Sequence, residues 1–247
     1  MGILPVSLGS EFPVNTSLKT TIIDRLSYGH PLNHGFDPIK LNRIDSVINY
    51  AIKNKMTPGA QILVSKNGNV VYNKSFGKMT YDSKRKIKWD DLYDLASLTK
   101  ILSTVPLMMN EFENKTIKLE TTLGQMFPNR DLFDKSKLTI KEMFSHQSGL
   151  FPWLPFYKKT LDSVDNKPSK IWYRTIKNNL FSVPVSKNLF LKDTFLDSIF
   201  NDILISELSA KKSYVYSDLP YYFMKSYLEK KNSENLDIQL KKKFLTQ

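Results

Sequence analysis

Apolar side chains recur at Leu41, Ile44, Val47, Ile48, Ala51 and Ile52 in "PIKLNRIDSVINYAIKNK", the spacing of one helix face. Asp37 stands at the cap position and Pro38 at the first helical position, where its missing N–H costs nothing. The period then changes from helical to alternating. "AQILVSK" and "NVVYNKSFG" flank the dipeptide Asn67-Gly68, and two β-rich runs around Asn-Gly predict an antiparallel hairpin closed by a type I′ turn. A polar stretch follows, and Leu98, Ile101, Leu102, Val105, Met108 and Met109 restore the helical period, with Pro106 expected to kink that helix.

Farther along, "TLGQMFP" and "TIKEMFSHQSGL" predict short helices, the second stopped at Ser148-Gly149. Residues 151–192 are aromatic and punctuated by proline, with no assignable period. "FLDSIFNDILISEL" and "LPYYFMKSYLEKK" predict helices, and "SYVYS" between them a short extended piece. Residues 1–37, rich in Pro, Gly, Ser, Thr and Asn, predict an arm or linker before an organised region over 38–247.

Composition narrows the classes. A chain of 247 residues, 41% apolar and 12% aromatic, can fill a core, which excludes wholesale disorder. The formal charge of +12 permits contact with an anionic partner, yet the lysines are scattered and "KRKIK" lacks the interleaved aromatics of a single-strand groove. No nucleic-acid partner is expected. Without cysteine and with only His30, His34 and His146, neither a disulfide nor a metal site is expected. The N-terminus has no basic, apolar leader and no run is long enough to span a bilayer, so the chain as written is expected to be soluble and cytoplasmic.

The candidate chemistry lies in "DLYDLASLTKILSTVPLMM", where Ser97 stands at a helix start and Lys100 follows one turn later on the same face. A helix N-terminus favours a developing alkoxide, and a lysine amine one turn on can reach the hydroxyl. To take that proton near neutral pH, the amine must fall from roughly 10.4 toward neutrality, a differential of about 4 kcal/mol. Spacing alone does not decide, because Ser75–Lys78, Ser83–Lys86 and Ser209–Lys212 repeat it in a strand end or polar loops. From spacing alone, a plain helix cap beside a surface lysine is the better explanation of the pair.

Further segments shift the balance. Ser97 to Lys100, "FSHQSGL", "PGAQILVSKNGNVVYNKSFG" and Tyr216-Ser217-Asp218 occur in an order that resembles the serine β-lactamase and penicillin-binding protein superfamily. The resemblance is greatest to its branch of class C β-lactamases, D-alanyl-D-alanine carboxypeptidases and esterases. It implies an α+β fold, an antiparallel sheet flanked by helices. It also implies that Ser97 is the nucleophile, that Lys100 activates it, and that Tyr216, as phenolate or relay, passes the proton to the leaving group. The Ser97 N–H would be one oxyanion donor, His146 a structural residue near a loop, and the substrate a small molecule or a peptidoglycan derivative, with no metal or organic cofactor.

Two departures qualify that implication. Asp218 occupies the substrate-facing position where the family usually has Asn, replacing an amide donor by a carboxylate that only accepts, and a carboxylate there could also hold Lys100 charged. The family's third motif, His/Lys-x-Gly, would fall beyond residue 247, so the resemblance implies a domain truncated at its C-terminus with an incomplete sheet. "GILPVSLGSEFPVNTSL" is similar to the tail of family-three β-N-acetylglucosaminidases, some of which carry such a domain, and implies an interior slice of an envelope or periplasmic protein. The competing expectation is a non-catalytic accessory domain of a cell-wall glycosidase.

Overall fold

The computed structural model describes Gly2–Ile3, Ser17–Leu18 and residues 26–245. The stretch resembling a glycosidase tail lies outside the described residues, except that β1 (Gly2–Ile3) pairs antiparallel with β2 (Ser17–Leu18). The chain divides into two compact units, residues 1–94 and 95–247.

In the first unit β3 (Ser27–Tyr28) precedes α1 (Pro38–Leu41), whose N–H groups at Ile39 and Lys40 are capped by the Asp37 carboxylate as the sequence predicts. Asn42 interrupts the expected helix, which resumes as α2 (Arg43–Lys53). The hairpin β4 (Gly59–Lys66) and β5 (Asn69–Gly77) turns at Asn67 and Gly68. Both have positive φ, 50° and 75°, as a type I′ turn requires. β3 adds to β5 in parallel, giving the sheet order β3-β5-β4. Asp45 fixes α2 to this sheet by accepting from Tyr72 at 2.5 Å and pairing with Lys74 at 2.7 Å.

The second unit is mainly helical. Helical residues begin at Leu98 and pass through a π turn at Lys100–Thr104, closed by the Val105 N–H to the Lys100 carbonyl, into α3 (Val105–Glu113). Pro106 is the physical reason. Its ring collides with the carbonyl four residues back in an α-helix, and the wider turn makes room. α4 (Leu123–Met126) and α5 (Ile140–Phe144) each open on a capping box, Thr122 with Gln125 and Thr139 with Glu142. α5 ends earlier than Ser148-Gly149, because His146 already turns left-handed at φ 57°.

The unassigned stretch 151–192 contains a small three-stranded sheet, β6 (Tyr173–Arg174), β7 (Val183–Ser186) and β8 (Leu189–Leu191), ordered β6-β8-β7. α6 (Phe195–Ile205) follows, then α7 (Leu219–Asn232) and α8 (Leu236–Leu240). The segment "SYVYS" joins no strand, although the Val215 N–H bonds the His146 carbonyl at 2.8 Å.

α7 is central to the core, burying Leu219, Pro220, Phe223, Met224 and Leu228 on one stripe. Phe223 meets Phe127 and Phe200 edge-on, with ring centroids 6.4 Å and 5.6 Å apart. Lys135, 1% exposed, donates to Asp134 Oδ1 and to the carbonyls of Leu204 and Ser206, so it ties its loop to the end of α6. The result is an α+β chain with small sheets, and this second unit carries all four candidate residues.

Candidate active site

Three segments of the second unit converge. Ser97 and Lys100 lie at the helix start before α3, His146 lies just past α5, and Tyr216 to Asp218 lead into α7. The Lys100 ammonium donates to Ser97 Oγ at 3.2 Å. Ser97, Lys100 and Tyr216 line one pocket of about 370 Å³ with Leu95, Leu98, Ile101, His146 and Tyr221. The competing pair at Ser209 and Lys212 is built differently, since Ser209 Oγ donates to the Lys211 carbonyl and Lys212 pairs with Glu142.

Lys100 is the electrostatic centre. Its Nζ lies 2.7 Å from Asp218 Oδ1, 5.5 Å from the ring centre of Tyr216 and 5.3 Å from that of Tyr221. Burial acts to lower its pKa, but the Asp218 carboxylate and the Tyr216 hydroxyl outweigh burial and hold the ammonium above its ordinary value. Asp218 Oδ1 is itself buried without a well-aligned hydrogen bond. Its 2.7 Å contact with Lys100 is an ion pair. The carboxylate thus favours the protonated form of Lys100.

The segment carrying Tyr216 is anchored on both sides. Fully buried Ser217 donates from Oγ to the Phe151 carbonyl at 2.5 Å and accepts the Leu219 N–H at 3.2 Å, so it caps the start of α7. The Asp218 N–H reaches the Pro152 carbonyl at 2.7 Å. Nothing in the sequence marks Ser217 as an anchor, because the signal is the carbonyl it meets, 66 residues away.

His146 is packed among tyrosines, 4.6 Å from Tyr216 and 6.2 Å from Tyr221 between ring centroids, with Tyr214 edge-on at 5.9 Å. Burial lowers its pKa and the nearby Lys100 charge lowers it further, against an opposite pull from Asp218. A second cavity of about 620 Å³ shares Ile101, His146 and Tyr221 with the first and continues along Val105, Met108 and Phe112. Among the described residues no group of three or more His, Asp or Glu side chains gathers as a metal site needs, and no helix is long and apolar enough to cross a membrane.

Known proteins share sequence or fold with this chain. The family model described as Beta-lactamase matches residues 45–197. Protein flp of Staphylococcus aureus (strain MRSA252) is 28% identical over 132 residues, which is 52% of this chain and 26% of that protein. Penicillin-binding protein 4* of Bacillus subtilis (strain 168) is 28% identical over 102 residues, 41% of this chain and 22% of that protein. The chain thus spans about a quarter of the length of the curated relatives it matches. The structure of the octameric penicillin-binding protein homologue from Pyrococcus abyssi superposes with a TM-score of 0.61 at 17% identity, covering 83% of this chain and 42% of that one, a likeness of fold.

Proposed function

We propose that this chain, which belongs to the β-lactamase family, is a serine hydrolase that acts through an acyl-serine intermediate on an ester, amide or β-lactam. One observation carries the reading: the Lys100 Nζ stands 3.2 Å from Ser97 Oγ, in a pocket that Tyr216 also lines.

Ser97 Oγ attacks the carbonyl carbon of a small molecule or a peptidoglycan fragment while its proton passes to the neutral amine of Lys100. The new C–O bond forms as the carbonyl π pair moves onto oxygen, and the backbone N–H of Ser97 supports that oxyanion. On collapse the leaving group departs with a proton relayed through Tyr216. Water then repeats the sequence on the acyl-serine and restores the hydroxyl. Because Asp218 keeps Lys100 protonated, only its small neutral fraction serves as base, and acylation speeds up as pH rises.

The same ion pair favours a second reading, a non-catalytic member of the family that keeps the pocket for binding. The test is covalent. A fluorophosphonate and a fluorescent β-lactam are applied between pH 7 and 10, and the label is located by peptide mass spectrometry. Labelling at Ser97 that rises with pH and vanishes in Ser97→Ala supports the hydrolase, whereas no labelling across that range selects the binding reading.

A further inference from the structure

The segment 214–217 belongs to no strand, yet it must hold a tyrosine beside a lysine to within a fraction of an ångström if proton transfer is to be efficient. Its backbone N–H groups at 215 and 217 both turn to one residue. The Val215 N–H donates to the carbonyl of His146 at 2.8 Å, and the Ser217 N–H donates to Nδ1 of the same histidine at 3.1 Å. Tyr216, between those two donors, lays its ring against the imidazole at 4.6 Å and a tilt of 37°. We infer that His146 is the positioning residue of this site, one that aligns Tyr216 by accepting hydrogen bonds from the residues on either side of it. This inference rests on the reading of Ser97, Lys100 and Tyr216 as the reacting groups.

The geometry specifies what position 146 demands. Its backbone is left-handed at φ 57°, a region open to few side chains other than Gly, Asn, Asp and His. It also needs an acceptor two bonds beyond Cβ. Histidine meets both demands when Nδ1 is bare and the proton sits on Nε2. Asparagine meets both as well, since its Oδ1 falls where Nδ1 is and the residue tolerates the left-handed region. Glutamine places its oxygen one bond too far, and alanine offers no acceptor.

Protonation would put a second N–H against the Ser217 N–H and release the segment. The groups facing the imidazole are Lys100 at the helix start, Asp218 at the head of α7, and Tyr214, Tyr216 and Tyr221 around the ring. Burial and Lys100 favour the neutral ring against the opposite pull of Asp218, so the acceptor state prevails at neutral pH and is lost on acidification.

The experiment compares the full chain with His146→Asn, His146→Gln and His146→Ala, each checked for folding by thermal melting. Two readouts are taken, the rate of covalent labelling at Ser97 and the hydrogen exchange of the Ser217 amide. His146→Asn is expected to label within about threefold of the parent and to keep Ser217 protected. His146→Gln and His146→Ala are expected to lose about a hundredfold in labelling rate and to expose that amide. On acidification the parent is expected to lose Ser217 protection while His146→Asn keeps it. A loss in His146→Asn as large as in His146→Ala, or equal Ser217 protection in all four proteins, overturns the positioning role. If the parent itself never labels, the hydrolase reading falls, and the exchange comparison still decides whether His146 holds the segment.

Discussion

The Lys100 ammonium and the Asp218 carboxylate stand 2.7 Å apart, so the group best placed to accept the Ser97 proton is the one a neighbour keeps protonated. Replacing the carboxylate by its amide isostere removes the charge and keeps the shape. Asp218→Asn is therefore expected to label with a β-lactam probe about tenfold faster at pH 7, with the rising limb of its pH profile moved toward lower pH. Stopped-flow or timed-quench labelling measures it. A slower Asp218→Asn would mean that the carboxylate has a positive role of its own in the pocket.

A second ion pair bears on stability. Buried Glu111 on α3 accepts from Thr116 at 2.6 Å and pairs with Lys231 on α7. Burial alone would raise the carboxyl, but the bonds from Lys231 and Thr116 win and hold it below its ordinary 4.5. A depressed carboxyl contributes stability above its unfolded value, and that contribution disappears as pH falls through the folded one. Glu111→Gln is expected to be about 2 kcal/mol less stable at pH 7, with the difference from the parent shrinking below about pH 4. Urea titrations at several pH values provide the check.

Lys135 offers a sharper stability test. Its three donors satisfy Asp134 Oδ1 at 2.7 Å, the Leu204 carbonyl at 2.9 Å and the Ser206 carbonyl at 2.7 Å, and no water reaches the ammonium. Methionine fills similar space but donates nothing, leaving two carbonyls at the end of α6 without a partner. Lys135→Met is expected to cost about 3 kcal/mol in chemical denaturation, with Ser97 labelling below the transition unchanged.

What was legible in the sequence was local. Asn67-Gly68 determined its turn because only residues tolerant of positive φ fit there, and the Thr122 and Thr139 boxes determined their helix starts because both partners lie within four residues. Ser97 and Lys100 could be singled out only by their context at a helix start, since three other pairs share their spacing. The strands between 173 and 191 have two to four residues each, too few to show a period, and their pairing depends on partners several residues away. Ser217 and the Nδ1 of His146 were illegible for a similar reason, because each acts on backbone some 70 residues distant. Asp218 was visible as an odd residue in its motif, but its 2.7 Å approach to Lys100 needed the fold.

The π turn between Lys100 and Thr104 places the Ser97 end of its helix under the control of a residue that does not line the pocket. Such a turn stores one residue more than an α-turn, so it works as a phase adjuster between the buried face of α3 and the serine ahead of it. Were it to tighten to α geometry, Ser97 would swing by about 100° around the axis and slide about 1.5 Å along it, out of line with Tyr216. The ring of Pro106 blocks that tightening, because it would collide with the carbonyl of Leu102. The placement of Ser97 is thus set from behind, by a residue whose backbone nitrogen carries no hydrogen to donate.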